Sequence, residues 1–170
     1  YRILPRGSSS KPGPWITRAF QREMMDAVLE PGIRRVVYMT CTQVVKSEAI
    51  NNIIGYFIDV EPSSIMMVRE TDREAIGYSK KRIAPMIEAC PRLAAKVRPA
   101  ISRASGNTMS LKEFPGGFLK FAGANAGSSL RSDPIARLFR DEIDAWPDEL
   151  PGEGNPLDIS ERRTDNYAFP

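Results

Sequence analysis

The stretch TCTQVVKSEAINNIIGYF, residues 40–57, lies where an apolar run gives way to a helical pattern. Upstream, RVVYM (residues 35–39) is a β-branched and aromatic run of the kind that forms a buried strand. Downstream, apolar residues recur at helical spacing over residues 47–60. The order of strand, polar loop and helix, with Lys46-Ser47 at the helix start, makes this stretch a candidate phosphate-binding loop.

A phosphate-binding loop directs backbone N–H groups at phosphates, with a lysine for the β/γ charge and an adjacent hydroxyl for Mg²⁺. The two glycine positions of that motif hold Thr40 and Val45 here, and a β-branched residue resists the positive φ that glycine tolerates. A first-turn hydroxyl beside a solvated lysine is the alternative interpretation. The residues predicted to line an ATP site are Thr42, Gln43, Val44, Val45, Lys46 and Ser47.

The run IARLFRDE, residues 135–142, has an apolar strand pattern that ends in Asp141 and Glu142. A magnesium-dependent nucleotide hydrolase needs a carboxylate at the end of a neighbouring strand for the metal shell, and commonly a glutamate beside it to activate water. An exposed acidic turn is the alternative. Together with Lys46-Ser47, this strand end predicts an ATPase that uses ATP and Mg²⁺.

Strand and helix patterns alternate along the chain, which is typical of βαβ units and a parallel sheet. The turn Pro115-Gly116-Gly117 joins two short strand patterns and predicts a hairpin. We therefore expect an α/β fold, a three-layer P-loop NTPase with a mostly parallel central sheet flanked by helices. The predicted elements are strands at 64–68, 109–114, 118–124 and 135–139, a long helix capped by Thr71, and a last helix over residues 155–167.

A short amphipathic helix is predicted from Thr17 to the stop at Pro31-Gly32, before the first strand. Near its start, Gln21 carries an amide that could bind the adenine edge, while the ring of Phe20 could pack on the adenine face. A core phenylalanine beside a solvated glutamine is the simpler interpretation. The adenine role therefore depends on the other two motifs.

Composition narrows the function further. The 170 residues include no histidine and two cysteines far apart, which excludes Ser-His-Asp chemistry and imidazole zinc sites and makes a disulfide framework improbable. The net charge is +3, too small to indicate nucleic-acid binding by itself. No apolar run approaches the roughly 20 residues of a membrane helix. Residues 1–16 are expected to form an extended arm or linker, and 17–170 one ATPase domain.

Four segments, FQREMMDAV, TQVVKSE, LKFAGANAGSSLRS and RLFRDEIDAWP, together resemble the lambda-type large terminase subunits of tailed bacteriophages. The resemblance covers nearly the whole chain after the arm. It depends on an aromatic-Gln-Arg-Glu helix, a Gln-Val-x-Lys-Ser-Glu loop, and a Gly-Ala-Asn segment that reaches Leu-Arg-Ser before an Asp-Glu strand end. None of these motifs is specific alone, but their order and spacing are.

The resemblance implies the motor half of a DNA-packaging machine, in which ATP hydrolysis drives viral DNA into an empty prohead. Arg131 matches an arginine that related motors use to sense or stabilise the transferred phosphate, in its own subunit or in the next. The other implied roles are phosphate and Mg²⁺ contacts for Lys46 and Ser47, the metal-shell acid for Asp141, the base for Glu142, and adenine recognition for Gln21.

The resemblance also implies partners: double-stranded DNA, a small terminase subunit, the portal protein of the prohead, and further copies of the chain, in the host cell cytoplasm and without a membrane. The coupling motif and the nuclease domain are expected beyond residue 170. Two alternatives stay open, another nucleic-acid translocase or helicase, and a degenerate NTPase fold that serves assembly, which Val45 favours. Candidate contacts to DNA phosphates are Arg69, Arg73, Lys80, Lys81, Arg82, Lys96 and Arg98.

Overall fold

A computed structural model describes residues 2–6, 11–41, 46–97 and 107–167 of the chain. Six strands and seven α-helices lie in the described ranges, together with short 3₁₀ and π turns. The elements in chain order are β1 (Ile3–Leu4), β2 (Gly13–Pro14), α1 (Ala19–Asp26), α2 (Lys46–Asp59), β3 (Ser64–Arg69), α3 (Asp72–Tyr78), α4 (Ala84–Ala89), α5 (Pro91–Ala94), β4 (Leu111–Phe114), β5 (Gly117–Gly123), α6 (Gly127–Arg131), β6 (Arg137–Arg140) and α7 (Pro156–Glu161).

The central sheet has four strands in the order β4-β5-β3-β6. β3 runs parallel to both β5 and β6, while β4 pairs antiparallel with β5 through the predicted hairpin. The sheet is therefore mostly parallel and flanked by helices, which confirms the mixed α/β class. The finer assignment to the P-loop type stays a prediction.

The side chains of β3 alternate between two cores, as the period of a strand requires. Ile65 and Met67 pack into a cluster with helices α2 to α5, which includes Phe57. Met66 and Val68 pack into a second cluster with Leu130, Trp146 and Ile159 on the other face. These four side chains are fully buried, so β3 lies in the middle layer, between the two clusters.

The predicted helices are largely confirmed. α2 begins at Lys46, and Thr71 caps α3 by accepting a hydrogen bond from the Glu74 N–H at 3.2 Å. The long helix expected after Thr71 is interrupted by a π turn, Ser79–Ile83, which leads into α4. The last helix is shorter than predicted: Asn155 is its cap and it ends at Glu161. No helix among the described residues is long and apolar enough to cross a membrane.

The segment expected as an arm forms the small β1-β2 hairpin in its described part. Arg2 donates hydrogen bonds to the Glu48 backbone oxygen at 2.8 Å and to Asn52 Oδ1 at 2.7 Å, both on α2. Its guanidinium also lies 5.4 Å from the centre of the Trp15 ring. This part of the arm therefore packs on α2, while the boundary at residue 17 stays a prediction.

The strand predicted at residues 35–39 is wrong. This segment has no regular structure, and Val37 and Met39 are 78% and 97% exposed. A β-branched run becomes a strand only where a neighbouring strand takes up its backbone hydrogen bonds, and no described strand pairs with it. Val36 and Tyr38 are partly buried, and Tyr38 packs against the core cluster that includes Phe57 and donates a hydrogen bond to the Met24 backbone oxygen.

Candidate active site at the carboxyl end of the sheet

The parallel pairing of β3 and β6 brings two charged residues to one edge. Val68 lies opposite Arg140, and the Asp141 N–H donates to the Val68 backbone oxygen at 3.1 Å. The residues that follow this pair, Arg69 and Asp141, therefore leave the sheet side by side. Carboxyl ends of parallel strands are the usual place for ligand sites in open α/β sheets.

Asp141 is the centre of this edge, and its side chain is only 1% exposed. Lys46 at the start of α2 places its Nζ atom 3.0 Å from Asp141 Oδ1, and Arg69 donates to Asp141 Oδ2. The Trp146 indole N–H donates to the Asp141 backbone oxygen at 3.1 Å. Lys46 of the loop motif and Asp141 of the strand-end motif are far apart in sequence, but their side chains are in direct contact.

Glu142 follows with a left-handed backbone, φ 55° and ψ 47°, and is the one described residue other than glycine with positive φ. Such a conformation is sparsely populated for residues with a Cβ and is found disproportionately at functional sites. The side chain is exposed, and its Oε2 accepts a hydrogen bond from Arg69 Nη2. With this backbone turn, the side chains of Glu142 and Asp141 contact the same arginine, Arg69.

A buried polar layer lies behind these acids. The guanidinium carbon of Arg69 is 5.1 Å from the centre of the Tyr78 ring, and Tyr78 donates to Asn51 Oδ1 at 2.6 Å. Burial raises the pKa of the Tyr78 phenol above its ordinary range, and the charge of Asp141 raises it further. The raised pKa favours the neutral phenol, which donates its hydrogen bond to Asn51.

Ser47 is partly buried, and its backbone oxygen lies 3.4 Å from the Tyr78 hydroxyl. The structure thus places Ser47 in the first turn of α2, next to Lys46, as the sequence predicts. The loop residues Thr42, Gln43, Val44 and Val45 lie outside the described residues, so their predicted phosphate contacts stay predictions.

The segment after β5 is anchored to the same edge by Asp72, the first residue of α3. The Asp72 carboxylate accepts from the Gly123 N–H at 2.7 Å, and its own N–H donates to Asn125 Oδ1 at 3.2 Å. The approach is so close that a Cβ on Gly123 would lie 2.1 Å from the Asp72 nitrogen. Gly123 is therefore required by this backbone contact.

Arg131 does not join the acids. It ends α6, and its Nη2 atom lies 2.9 Å from Glu153 Oε2, while its side chain is 49% exposed. Its backbone oxygen accepts from Arg163 at 2.9 Å. Within this chain, then, the predicted phosphate-sensing arginine is held by a different carboxylate from those of the site.

The two predicted adenine residues are placed differently from each other. Phe20 is 56% exposed, so it is not the core residue of the simpler interpretation. Gln21 is buried, and its Oε1 accepts the Arg18 N–H at 2.9 Å, which caps the start of α1. The amide predicted to bind adenine thus makes a structural hydrogen bond within the chain, and its role toward adenine stays a prediction.

The acids fit a magnesium ion held partly by phosphates. Mg²⁺ is usually bound through one or two carboxylates together with substrate phosphates and waters. Asp141 Oδ1 is buried and, apart from its ion pair with Lys46, accepts no hydrogen bond from the described residues, so within that part of the chain an oxygen lone pair is left for a ligand. Across the described residues no group of three or more acidic or cysteine side chains is arranged to hold a metal ion alone. The residues therefore suit a metal that arrives with its substrate.

Sequence reasoning missed the role of Arg69, which it placed among the DNA contacts. Its side chain is 11% exposed and bonded to both acids, so the DNA interpretation is wrong for Arg69. Lys96 is also paired, with Nζ 3.0 Å from Asp59 Oδ1. The sequence does show that Arg69 ends an apolar strand and that Asp141 follows another. It does not show that these two strands, β3 and β6, are neighbours in the sheet.

The fold and this edge define an α/β domain with an ionic site at the carboxyl end of a parallel sheet. The family described as phage terminase large subunit gpA, ATPase domain, matches residues 9–169, and the chain belongs to that family. It is 27% identical over 168 residues to the terminase large subunit of Escherichia phage lambda, and 26% identical over 170 residues to that of Enterobacteria phage P21.

Each alignment covers 98% of this chain but 26% of the relative's length. The resemblance carried by the four sequence segments is therefore confirmed at the level of the family. The chain spans about a quarter of the length of the curated relatives it matches.

Proposed function

We propose that this chain binds ATP with Mg²⁺ at the carboxyl end of β3 and β6 and hydrolyses it. The observation that carries the proposal is the 3.0 Å contact between Lys46 Nζ and Asp141 Oδ1. Had these two groups lain on opposite faces of the sheet, the two motifs could not serve one nucleotide. Membership of a family of ATPase domains supports the same function.

In the proposed reaction the residues of the chain act mainly by position and charge. Lys46 offsets negative charge on the β- and γ-phosphates after leaving Asp141. Glu142, exposed at the edge of the site, accepts a hydrogen bond from the attacking water and takes its proton. Bound through Ser47 and Asp141, Mg²⁺ would supply charge neutralisation of the phosphates.

The test is nucleotide-dependent thermal stabilisation. A ligand that binds the folded state alone raises its stability by about 2.7 kcal/mol at a hundredfold excess over Kd. We expect ATP with Mg²⁺ to raise the melting temperature of the wild type and to leave that of Lys46→Ala unchanged. Equal shifts in the two proteins would remove Lys46 from the site.

Lys96→Ala is the matched control. Lys96 makes an ion pair of the same 3.0 Å length, with Asp59, and is 33% exposed against 31% for Lys46. Asp59 ends α2, the helix that Lys46 begins, so the two pairs lie at opposite ends of one helix. Lys96→Ala should keep the full nucleotide-dependent shift. Absence of saturable binding by the wild type would favour the degenerate fold that serves assembly.

At the level of the whole assembly, we propose that the hydrolysis drives double-stranded DNA into a prohead in the host cytoplasm, with a small terminase subunit and the portal as partners. The names of the two relatives, both terminase large subunits, support this. A motor that accepts any sequence must grip phosphates instead of bases. The remaining described candidates for that grip are Arg73, Lys80, Lys81 and Arg82, of which Arg82 has its Nη1 3.9 Å from Glu48 Oε1; Arg98 lies outside the described residues.

Lys80 and Lys81 are exposed on the π turn, so they are the sharpest DNA test. Removing one cation that neutralises a DNA phosphate should reduce the salt slope of DNA affinity by about 0.9. We expect the double variant Lys80→Ala/Lys81→Ala to bind duplex DNA more weakly and with a shallower slope than the wild type. An unchanged slope would exclude this turn from the DNA path.

For Arg131 we propose action on the nucleotide of a neighbouring subunit, because its own chain pairs it with Glu153. Arg131→Ala and Glu142→Gln subunits should each be inactive alone and should recover part of the activity when mixed. Absence of recovery at every mixing ratio would argue for action within one subunit.

A further inference from the structure

Arg69 is the described residue that contacts both acids of the site, and it is assigned no role by the motifs. Its guanidinium fork donates Nη1 to Asp141 Oδ2 and Nη2 to Glu142 Oε2. A planar fork of this kind matches two oxygen acceptors in a fixed geometry, which a lysine ammonium cannot reproduce. Arg69 therefore ties the carboxylate of Glu142 to that of Asp141.

The guanidinium is itself held from behind. The Tyr78 ring lies 5.1 Å from its central carbon, and the Tyr78 hydroxyl is fixed by Asn51. The side chain of Arg69 is 11% exposed, so little water competes for its hydrogen bonds. Arg69 is thus a rigid support and not a mobile surface charge.

The arrangement also surrounds Asp141 with positive charge. Lys46 lies at Oδ1 and Arg69 at Oδ2, so both oxygens of one buried carboxylate already face a cation. A divalent cation that approaches Asp141 meets the repulsion of both. Lys46 has another partner once phosphates are bound, but Arg69 stays at the end of β3.

We propose that Arg69 is a positioning residue of the ATPase reaction, which holds Glu142 for water activation and, before nucleotide binds, competes with divalent cations for Asp141. The inference rests on the proposed function for the Glu142 part alone. Competition for Asp141 requires no nucleotide and holds whether or not the chain hydrolyses ATP.

The two roles have opposite consequences when Arg69 is removed. Arg69→Met keeps the length and apolar stem of the side chain but removes the charge and the fork. Affinity for Mn²⁺ without nucleotide should rise at least about tenfold, the size by which one neighbouring charge shifts ionic equilibria. The kcat should fall about 10- to 100-fold with the KM for ATP little changed, since Glu142 loses its support. A merely structural defect would lower the Mn²⁺ affinity as well as the kcat.

The experiment titrates Mn²⁺ by electron paramagnetic resonance and measures kcat and KM on the same preparations. The double variant Arg69→Met/Asp141→Asn should lose the gain in Mn²⁺ affinity. Arg137→Met is the matched control, because Arg137 also stacks on an aromatic ring, 4.7 Å from Phe57, and pairs with a glutamate, Glu61 at 2.8 Å, but on β6 away from the acids. It should leave Mn²⁺ affinity and kcat near the wild-type values.

Arg69→Lys keeps the charge but loses the two-pronged guanidinium. It therefore tests the positioning role if Arg69→Met does not fold. We expect wild-type Mn²⁺ affinity with a reduced kcat, and a wild-type kcat would overturn the positioning role. Unchanged Mn²⁺ affinity in folded Arg69→Met would overturn the competition. If the wild type fails to hydrolyse ATP while Arg69→Met still gains Mn²⁺ affinity, the proposed function fails and the competition for Asp141 stands.

Discussion

Strand β6 and residues 35–39 make an instructive pair, because RLFR and RVVYM are both short runs that begin with arginine and carry apolar residues, but only RLFR forms a strand. β6 pairs with β3, and its following residue, Asp141, is buried at the site. Residues 35–39 precede the predicted phosphate loop, yet Val37 and Met39 are exposed and the segment is not a strand. An apolar run therefore specifies a strand only in combination with a partner that completes its backbone hydrogen bonds.

The contrast between β6 and residues 35–39 also divides the site into an acid half and a phosphate-loop half. The acid half is fixed by a parallel sheet, an arginine fork and an indole hydrogen bond to Asp141. On the phosphate-loop side, the described contacts begin at Lys46, where α2 starts. We expect substitutions in the acid half to act on chemistry and stability, and substitutions before α2 to act on nucleotide affinity.

The largest effect is expected for Glu142→Gln, which removes the proposed base at nearly constant size. The ATP hydrolysis rate should fall about 10²- to 10⁴-fold, the usual contribution of general base catalysis, while nucleotide binding is retained. Single-turnover hydrolysis with a parallel binding titration measures both. Asp144→Asn, an exposed acid two residues further on, is the control, and turnover equal to wild type in Glu142→Gln would refute the assignment.

Next is a direct comparison of two methionines, Met67 in β3 and Met39 in the irregular segment. Met67 is fully buried and Met39 is 97% exposed. Met67→Ala should lower the free energy of unfolding by about 2–5 kcal/mol, the range for buried Met-to-Ala substitutions, and Met39→Ala by less than about 0.5 kcal/mol. Urea unfolding of both variants checks this. A comparable loss in Met39→Ala would mean that residues 35–39 are packed in solution.

A smaller effect is expected for Trp146→Phe, which removes the indole N–H that donates to the Asp141 backbone oxygen. Leaving a buried acceptor without this donor should destabilise the fold by about 1–3 kcal/mol. Trp15→Phe is the control, because the Trp15 indole donates at 2.8 Å to Thr17, two residues away, and not to Asp141. Equal melting temperatures for Trp146→Phe and the wild type would contradict a supporting role for the indole.

The smallest effect concerns Val45, the residue before the predicted phosphate lysine. Glycine there removes a β-branched side chain and admits positive φ, so Val45→Gly should tighten ATP binding by about threefold, or about 0.7 kcal/mol. Isothermal titration at fixed Mg²⁺ measures the change. Weaker binding in Val45→Gly would show that valine suits the loop and that the motif differs here from the glycine-containing pattern.

Much of this fold follows from local pattern. The burial of β3, the Thr71 cap, the hairpin at Gly116 and the acids after β6 are each specified within a few residues of sequence. The positions of Arg69 and of residues 35–39 were not predictable in the same way, since both depend on which strands become neighbours. The sequence predicts that Lys46 and Asp141 belong to two motifs of one site. It does not predict their contact, because a local pattern carries no information on the distance between remote residues.

The central position of β3 has a consequence for the synthesis of the protein. Its hydrogen-bonded neighbours come later in the chain, since Ser64 pairs with Phe118 and Ile65 with Arg137. At about 5–20 residues per second, roughly 3–11 s pass on the ribosome between the emergence of β3 and that of β5, the first of these neighbours to be made. During that interval the apolar strand SIMMV has no edge to join, so the nascent chain is most prone to aggregate then and is a natural client for a chaperone.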